Sequence, residues 1–553
     1  YVTIVGSNYQ AAAWGTVTLL QAIDTSSGSV KLPRMVIQDQ PASPLRTVMW
    51  DIGRFFHPLE TLYEFVDLHR MYKVAYMHLF MSANGLFTFG TEAFPALTNN
   101  NVSHGSSAGF YLPPNGSRLY YSKAELTNLV RYATDRGVVI VPEIDTPAWA
   151  GYMTGNDPAH FCSVGGVTGT SYINLNYTNA MTAMAVLMGE LADVFNTSPY
   201  IHIGADEVGT SDFTTYPYWA QNAALNNLAN GNEAMVWYMS RLAANAASRG
   251  KTTWAWSAPG VVGKGYDMPT NMVYTAWGYD DGQGPSANGY WVMRAAGGHV
   301  AGYGQSSRAA PYNRCLLYRP AQGIYNRLTP LLRYIGAPDN IYTDLTPNFL
   351  PLTGTENKIL GAHIMEWETP YEVEVPAMRL SMPALGEPTW NQGNSQRLNW
   401  DNFLARQTRT DQLYQRVMRP VVLSVTTQVD PKDICFVAGG MVTMTSAVPG
   451  TIRYTVGTDY INSWYNFPTT NSTAYSAPFA ITQSSVISAR LFDSNGTPLG
   501  NPGTRGFYLV TPKTHYKYFY TGNPAPTGFE KGTPIVSSVM GQMDGDAPQE
   551  DVR

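Results

Sequence analysis

The chain has 553 residues, 44% apolar and 14% charged, with a formal net charge of −5. That length exceeds one ordinary domain, and the apolar share excludes a wholly disordered chain. The 35 basic and 40 acidic residues include no dense Lys/Arg run, which argues against nucleic acid as a partner, and no stretch reaches the ~18 uninterrupted apolar residues of a membrane span. Charged residues fall below the roughly 25% of a typical soluble chain, while aromatics reach 12%, with 13 Trp and 36 Tyr. Low charge with many aromatic, Asn, Ser and Thr residues suits an extracellular protein that handles neutral polar ligands such as sugars.

In chain order, Tyr1–Val5 reads as a strand, Ala11–Ala22 as a helix and the stretch near Met35–Gln38 as a second strand. Residues 1–42 therefore read as the remaining part of an N-terminal α/β domain. From 43 to 420, short apolar strands alternate with amphipathic helices. The expected strands are Arg46–Asp51, Ala75–Phe80, Val138–Ile144, Tyr200–Gly204, Thr252–Trp256, Met272–Trp277, His299–Tyr303 and Ile359–Trp367. Pro58 opens a helix; Ser122 and Glu125 form an S-x-x-E capping box before another, which Gly137 ends. Met184, Leu187, Met188 and Leu191 form one helical stripe, and Met235, Met239, Leu242 and Ala246 a second; Met at this spacing reads as core. Eight strands alternating with helices predict a TIM-like (β/α)8 barrel, with a doubly wound open sheet as the competitor. No G-x-G-x-x-G follows a strand and no P-loop pattern occurs, which weighs against nucleotide folds. Residues 421–511, with strand-like Ile452–Val456 and Val486–Leu491 and the turn Asp493–Gly496, read as a small C-terminal β-sandwich. Residues 512–553 read as a linker or the start of a further unit.

Three cysteines, Cys162, Cys315 and Cys435, allow one disulfide at most and read as buried thiols. Sequons begin at Asn101, Asn115, Asn176, Asn196 and Asn471; in a secreted eukaryotic chain they mark glycosylation sites. No spacing suits a metal site, so neither a metal nor an organic cofactor is expected.

Barrel chemistry sits at the carboxyl-terminal ends of the strands. There the sequence puts Asp51 and Arg54, His78, Glu143 and Asp145, Asp206 and Glu207, Trp254 and Trp256, Trp277, and Trp367 and Glu368. Asp206-Glu207 follows an apolar strand too dry to carry two carboxylates idly. Adjacent carboxylates repel, so one should stay protonated. A protonated acid beside an ionised one is the equipment of glycoside hydrolysis, and sugar rings have apolar faces that stack on indoles. The bland alternatives are a solvated acidic loop and core tryptophans.

The segment His202-Ile-Gly-Ala-Asp-Glu-Val208 resembles the H-x-G-G-D-E signature of family 20 glycoside hydrolases, the β-N-acetylhexosaminidases. Arg46–Phe56 resembles that family's R-G-x-x-x-D-x-x-R-x-F strand, and Val141–Asp145 its P-E-I-D motif. Tyr274–Trp277 and Leu360–Trp367 look like its tryptophan strands, Ala384–Trp390 like its closing helix, and Trp14–Gln21 like a helix of its preceding domain. Ile452–Thr455 and Ser488–Leu491 resemble the β-sandwich appended to chitobiases.

The resemblance implies exo-acting removal of terminal β-linked N-acetylhexosamine from a glycan, by a substrate-assisted retaining mechanism. In it, Asp206 orients the substrate's acetamide and Glu207 is acid and then base. Arg54 and Glu368 bind sugar hydroxyls, and Asp145 lies in the substrate site. Trp256, Trp277 and Trp367 wall the pocket, and Tyr318, or equally Tyr312, bonds the acetamide carbonyl. Glu368 sits one place early for the family's W-x-E.

Two further departures fall together. The H-L-x-D region reads His78-Leu-Phe-Met81, and the P-E-I-D-x-P-x-H motif ends in Trp149, so the family's Asp–His relay is absent. The usual acid after Trp256 is also missing. Glu207 is then expected to be tuned by burial and by Asp206. The alternative reading is a catalytically impaired, family-20-like extracellular glycan-binding or structural protein.

Overall fold

A computed structural model describes residues 1–24, 30–54, 56–99, 118–162, 172–175, 178–208, 217–256, 271–276, 291–295, 332–334, 349–351, 359–367, 371–391, 399–425, 435–436, 439–458 and 466–509, with residues 269, 325 and 463 singly. Eight parallel strands close into a barrel: β1 (Leu45–Asp51), β2 (Tyr76–Phe80), β3 (Val139–Thr146), β4 (Tyr200–Gly204), β5 (Thr252–Trp256), β6 (Val273–Ala276), β7 (Trp291–Ala295) and β8 (Ile359–Glu366). Each pairs with its neighbours in chain order, and β8 returns to β1 through Leu45↔Gly361 to Trp50↔Glu366.

Parallel strands are covered on both faces, so they read as near-continuous apolar runs, and all seven residues of β1 are buried. Outward residues such as Val48, Trp50, Met77, Leu79, Ile140, Ile201 and Ile364 join the helix-covered core. Inward residues stack in layers. Leu45, Val141, Trp254 and Val273 fill the lower end, and Met49, Phe80, Trp256 and Met365 the upper. The helices form where the sequence places them. α1 (Lys123–Asp135) begins at the Ser122/Glu125 capping box and is followed by Gly137 at φ +71°. α2 (Thr178–Val194) and α3 (Gly231–Ser248) bury both Met stripes fully. At about 1.5–3 kcal/mol for each large apolar side chain removed from water, these stripes fasten the helices to the sheet.

Three expectations change. The seventh strand is Trp291–Ala295, paired with β6 and β8, whereas the expected His299–Tyr303 lies outside the described residues. Both segments are short and apolar, and only tertiary pairing chooses between them. Tyr1–Val5 and Met35–Gln38 are not strands. Their apolar side chains are largely exposed and pair with no described strand, so β-propensity alone does not order them. The described residues that precede the barrel supply instead the helix Tyr9–Ala22 and a bridge between Asp24 and Lys31.

After the helix Trp400–Met418, residues 421–509 carry a three-stranded sheet and a five-stranded sheet. Both contribute to one core, including Val421, Leu423, Val442, Met444, Ile487, Leu491 and Phe507. The turn at Asp493 forms as expected: its carboxylate accepts from Asn495 N (2.8 Å) and Thr497 N (2.7 Å), with Gly496 at φ +80°. Residues 512–553 lie outside the described residues. Among the described residues no helix is long and apolar enough to cross a membrane.

Candidate active site

β4 delivers the acidic pair through an unusual backbone. Gly204 has φ +74°, and a Cβ there would sit 1.7 Å from Asp145 Oδ1, so only glycine lets the Asp145 carboxyl lie against this turn. Ala205 follows at φ +77° and Glu207 at φ +51°, left-handed values that side chains other than glycine's adopt at a cost. The turn is held by Ala205 N donating to Thr146 O (3.0 Å) and Tyr172 OH donating to the Glu207 carbonyl (3.3 Å). It carries Asp206 and Glu207 past the carboxyl end of β4, beside Asp145 from β3.

Asp145 and Asp206 are buried and Glu207 is half-buried. Burial, then the charges of Glu207 and Glu143, push Asp206 up to about 8. Burial, then the charge of Asp206, pushes Asp145 well above the usual carboxylate range. Sequence reasoning expected the raised carboxyl to be Glu207, but the fully buried members of this group are Asp206 and Asp145. Which of two adjacent acids is buried depends on how the turn rotates, a property of backbone dihedrals that residue order does not reveal.

Across the mouth, Trp256 and Trp367 pack at 5.6 Å between ring centroids, and Trp367 meets Phe80 edge-on at 5.0 Å. Arg54 is 8% exposed and donates from Nη1 to Asp51 Oδ2 (2.9 Å). Its guanidinium carbon lies 4.7–4.9 Å from the ring centroids of Phe80, Trp149 and Trp367. Met81, at the place of the family's relay aspartate, is fully buried in the core behind the sheet. Trp149, at the place of the relay histidine, stacks on Arg54.

Beneath this floor lies a polar layer that the sequence reading passed over. His78 Nε2 lies 2.8 Å from Glu143 Oε2, and His202 Nδ1 2.9 Å from Glu143 Oε1, which also accepts from Trp256 Nε1 (2.9 Å). Trp254 Nε1 donates to Thr275 Oγ1 (2.8 Å), Thr275 Oγ1 lies 3.3 Å from His363 Nδ1, and His363 Nε2 lies 3.3 Å from His78 Nδ1. An indole can only donate, and one proton order along the chain leaves each of these contacts with one donor and one acceptor. Thr275 donates to His363 Nδ1, His363 Nε2–H to His78 Nδ1, and His78 Nε2–H points to Glu143. Gly204 N donates to His202 Nδ1 (3.1 Å), so that nitrogen offers a lone pair and the proton between it and Glu143 belongs to the acid. Burial raises Glu143 accordingly, and it lowers His78 to about 4 and holds His202 and His363 well below their ordinary value. The layer links the Trp256 wall to the turn before Asp206.

A signal for it existed. Tyr-Met-His78-Leu-Phe, Tyr-Ile-His202-Ile-Gly and Gly-Ala-His363-Ile-Met each hold one histidine at the centre of an apolar strand, and period two puts all three inside the barrel. The expectation that no metal-ligand set exists needs correction, because His78, Glu143 and His202 bring ligand atoms within 4.8 Å of one another. They come from three strands, so no local spacing announces them. His78 and His202 lie 2.8 and 2.9 Å from the Glu143 carboxyl, and His202 Nε2 is buried without a hydrogen-bond partner.

Of the residues singled out from sequence, the structure gathers Arg54, Asp145, Asp206, Glu207, Trp256 and Trp367 at one end of the barrel. Trp277, Tyr318 and Glu368, like Tyr312, lie outside the described residues. Of the sequons, Asn196 and Asn471 are described and exposed, and Cys162 is buried as expected.

Comparison with known proteins agrees with this geometry. Residues 44–303 match the catalytic domain of glycosyl hydrolase family 20. A beta-hexosaminidase of Akkermansia muciniphila is 29% identical over 252 residues, 44% of this chain and 50% of that protein. The chain thus spans half the length of that relative. The fold resembles a chitobiase of Flavobacterium johnsoniae (TM-score 0.56, 21% identity, 72% of this chain and 56% of that one). It resembles equally a beta-N-acetylhexosaminidase of Bacteroides fragilis (TM-score 0.56, 21% identity, 72% and 77%). Residues 44–303, just under half of the chain, thus carry the resemblance to glycosyl hydrolase family 20.

Proposed function

We propose that this protein is an exo-acting β-N-acetylhexosaminidase that removes terminal β-linked N-acetylhexosamine by a substrate-assisted, retaining mechanism. The observation that carries this reading is Asp206-Glu207 on the left-handed turn after β4, beside Asp145 and within the aromatic end of the barrel. In this reading the substrate's acetamide oxygen attacks the anomeric carbon. Asp206 orients the acetamide and balances charge developing on its nitrogen. Glu207, the more accessible acid, protonates the departing oxygen and then takes a proton from water. Arg54 and Glu368 bind sugar hydroxyls, Asp145 supports the substrate site, and Trp256, Trp277 and Trp367 enclose the sugar, with Tyr318 on the acetamide carbonyl. The chemistry needs two carboxylates and the substrate's own amide, with no cofactor.

The domain division extends the same reading: residues 1–42 as part of an N-terminal α/β domain, 43–420 as the catalytic barrel, 421–511 as a β-sandwich and 512–553 as a linker or further unit. The composition supports an extracellular or cell-surface location. The test is release of a chromophore from an aryl β-N-acetylglucosaminide by wild type and Glu207→Gln. Turnover by wild type that falls at least 100-fold in the variant is the expected result. Sugar binding without turnover would instead favour an impaired, glycan-binding protein.

A further inference from the structure

We propose that Trp149 is a positioning residue for Arg54: its indole closes an aromatic box that fixes the guanidinium for the hydroxyls of the bound sugar. The inference rests on the glycosidase reading for its substrate, and on geometry for its mechanism. Asp51 anchors one edge of Arg54 through the 2.9 Å contact and is itself held, its Oδ1 accepting from Gly53 N (3.2 Å) and Arg54 N (3.0 Å). Asp51 fixes one edge of the guanidinium. The rings of Phe80, Trp149 and Trp367, at 4.9, 4.7 and 4.9 Å, pack about its plane.

Phe80 and Trp367 come from strand ends, where the barrel sets their direction. Trp149 comes from a loop and reaches Arg54 only through a left-handed backbone, φ +55°, a conformation a bulky residue holds only where its surroundings over-determine it. Those surroundings are visible two residues on. Gly151 N donates to Asn84 Oδ1 (3.0 Å), and a Cβ on Gly151 would come within 2.8 Å of that oxygen. The loop is therefore pinned by the Asn84 side chain, four residues past the end of β2, and packs closely against it. The residue in the place of the family's relay histidine has a different duty: it orients the group that grips the sugar, and leaves the proton of the catalytic acid alone.

The experiment is a double-mutant cycle on the aryl β-N-acetylglucosaminide with Trp149→Ala, Arg54→Lys and the pair, and with Trp149→Phe as the conservative variant. Positioning of a binding group raises KM with little change in kcat. Trp149→Ala should raise KM at least tenfold with kcat within about threefold, and Trp149→Phe should restore KM to within about threefold of wild type. In the Arg54→Lys background, Trp149→Ala should add less than about threefold, because the group it positions is already lost. Additive KM effects, or a kcat loss equal to the KM gain, overturn the proposal. A crystal structure of Trp149→Ala tests the geometry even if wild type shows no turnover. The proposal requires the guanidinium to leave the box, and Arg54 still within about 6 Å of both Phe80 and Trp367 overturns it while leaving the glycosidase reading untouched.

Discussion

Glu143→Gln is nearly isosteric, and the proton order of the buried layer says what it breaks. The glutamine carbonyl can accept from His78 Nε2–H, and its amide can donate to the His202 Nδ1 lone pair. That orientation turns the amide nitrogen toward Trp256 Nε1, which now occupies a 2.9 Å contact with Glu143 Oε1. Two donors then face each other in a dry site. The flipped amide is worse, opposing both His78 Nε2–H and the His202 lone pair. The first orientation wins and leaves one buried indole N–H without an acceptor, at about 1–3 kcal/mol. At about 1.3 °C per kcal/mol for a unit of about 380 residues, the barrel transition should fall by about 1–4 °C. The assay is urea unfolding followed by near-ultraviolet circular dichroism, comparing midpoints at constant slope. Trp256→Phe removes the stranded donor, so the double mutant should lie at least about 1 kcal/mol above the sum of the single losses. A coupling below about 0.5 kcal/mol would refute the proton order.

Ala205→Gly should stabilise the fold by up to about 1 kcal/mol, because φ +77° costs alanine more than it costs glycine; a variant less stable than wild type in the same urea assay would contradict this. Asp206 is raised to about 8 by burial, so the folded state holds a proton that the unfolded state has released. Its contribution is present below pH ~4 and lost as pH rises through 8. His78, lowered to about 4, acts with the opposite sign between pH ~4 and 6.5. Above pH ~6.5 only the carboxyls remain, so stability should fall from there toward 8, and Asp206→Asn should flatten that limb; parallel curves for the two proteins would defeat it. Trp149→His should not restore the relay, since Met81 supplies no carboxylate partner. A rise in kcat/KM of tenfold or more, about 1.4 kcal/mol, would count against that view.

Much of the fold was legible because the barrel repeats a local rule. Seven of the eight strands are apolar runs that need covering on both faces, and the Ser122–Glu125 cap and the two Met stripes are contained within single helices. The seventh strand was not legible, because Trp291–Ala295 and His299–Tyr303 satisfy the same local rule and only pairing with β6 and β8 separates them. At the site, Asp206 and Glu207 were readable as an acidic pair placed after an apolar strand. The rotation that buries the first and leaves the second half-buried was not, since it depends on left-handed dihedrals at Ala205 and Glu207. The Glu143 layer stayed hidden for a third reason: its members are distant in sequence and meet only when the barrel closes.

The absence of the relay is consistent with the charge balance of the pocket. Asp145 and Asp206 are buried there with Glu207 beside them, and Glu143 lies directly below; Arg54 is already engaged by Asp51. Each further buried carboxylate would meet the repulsion that already raises Asp145 and Asp206. An aspartate in place of Met81 would bury a further carboxyl in the apolar core behind the sheet, where desolvation raises its pKa. A histidine in place of Trp149 without that aspartate would be a half-buried imidazole with no carboxylate assigned to it, and burial lowers the pKa of an imidazole, as it does for His363 here. Met81 and Trp149 are therefore coherent as a pair. One withdraws a negative charge into apolar packing; the other fills the vacated position with a ring that the Arg54 cation attracts. Restoring both family residues at once, Met81→Asp with Trp149→His, should add a buried carboxyl of raised pKa behind the sheet and weaken the Arg54 box. Its expected signature is a higher KM together with an alkaline stability limb steeper than wild type. A double variant with lower KM and a flatter limb would show that the pocket tolerates the relay and that charge balance is not what excludes it.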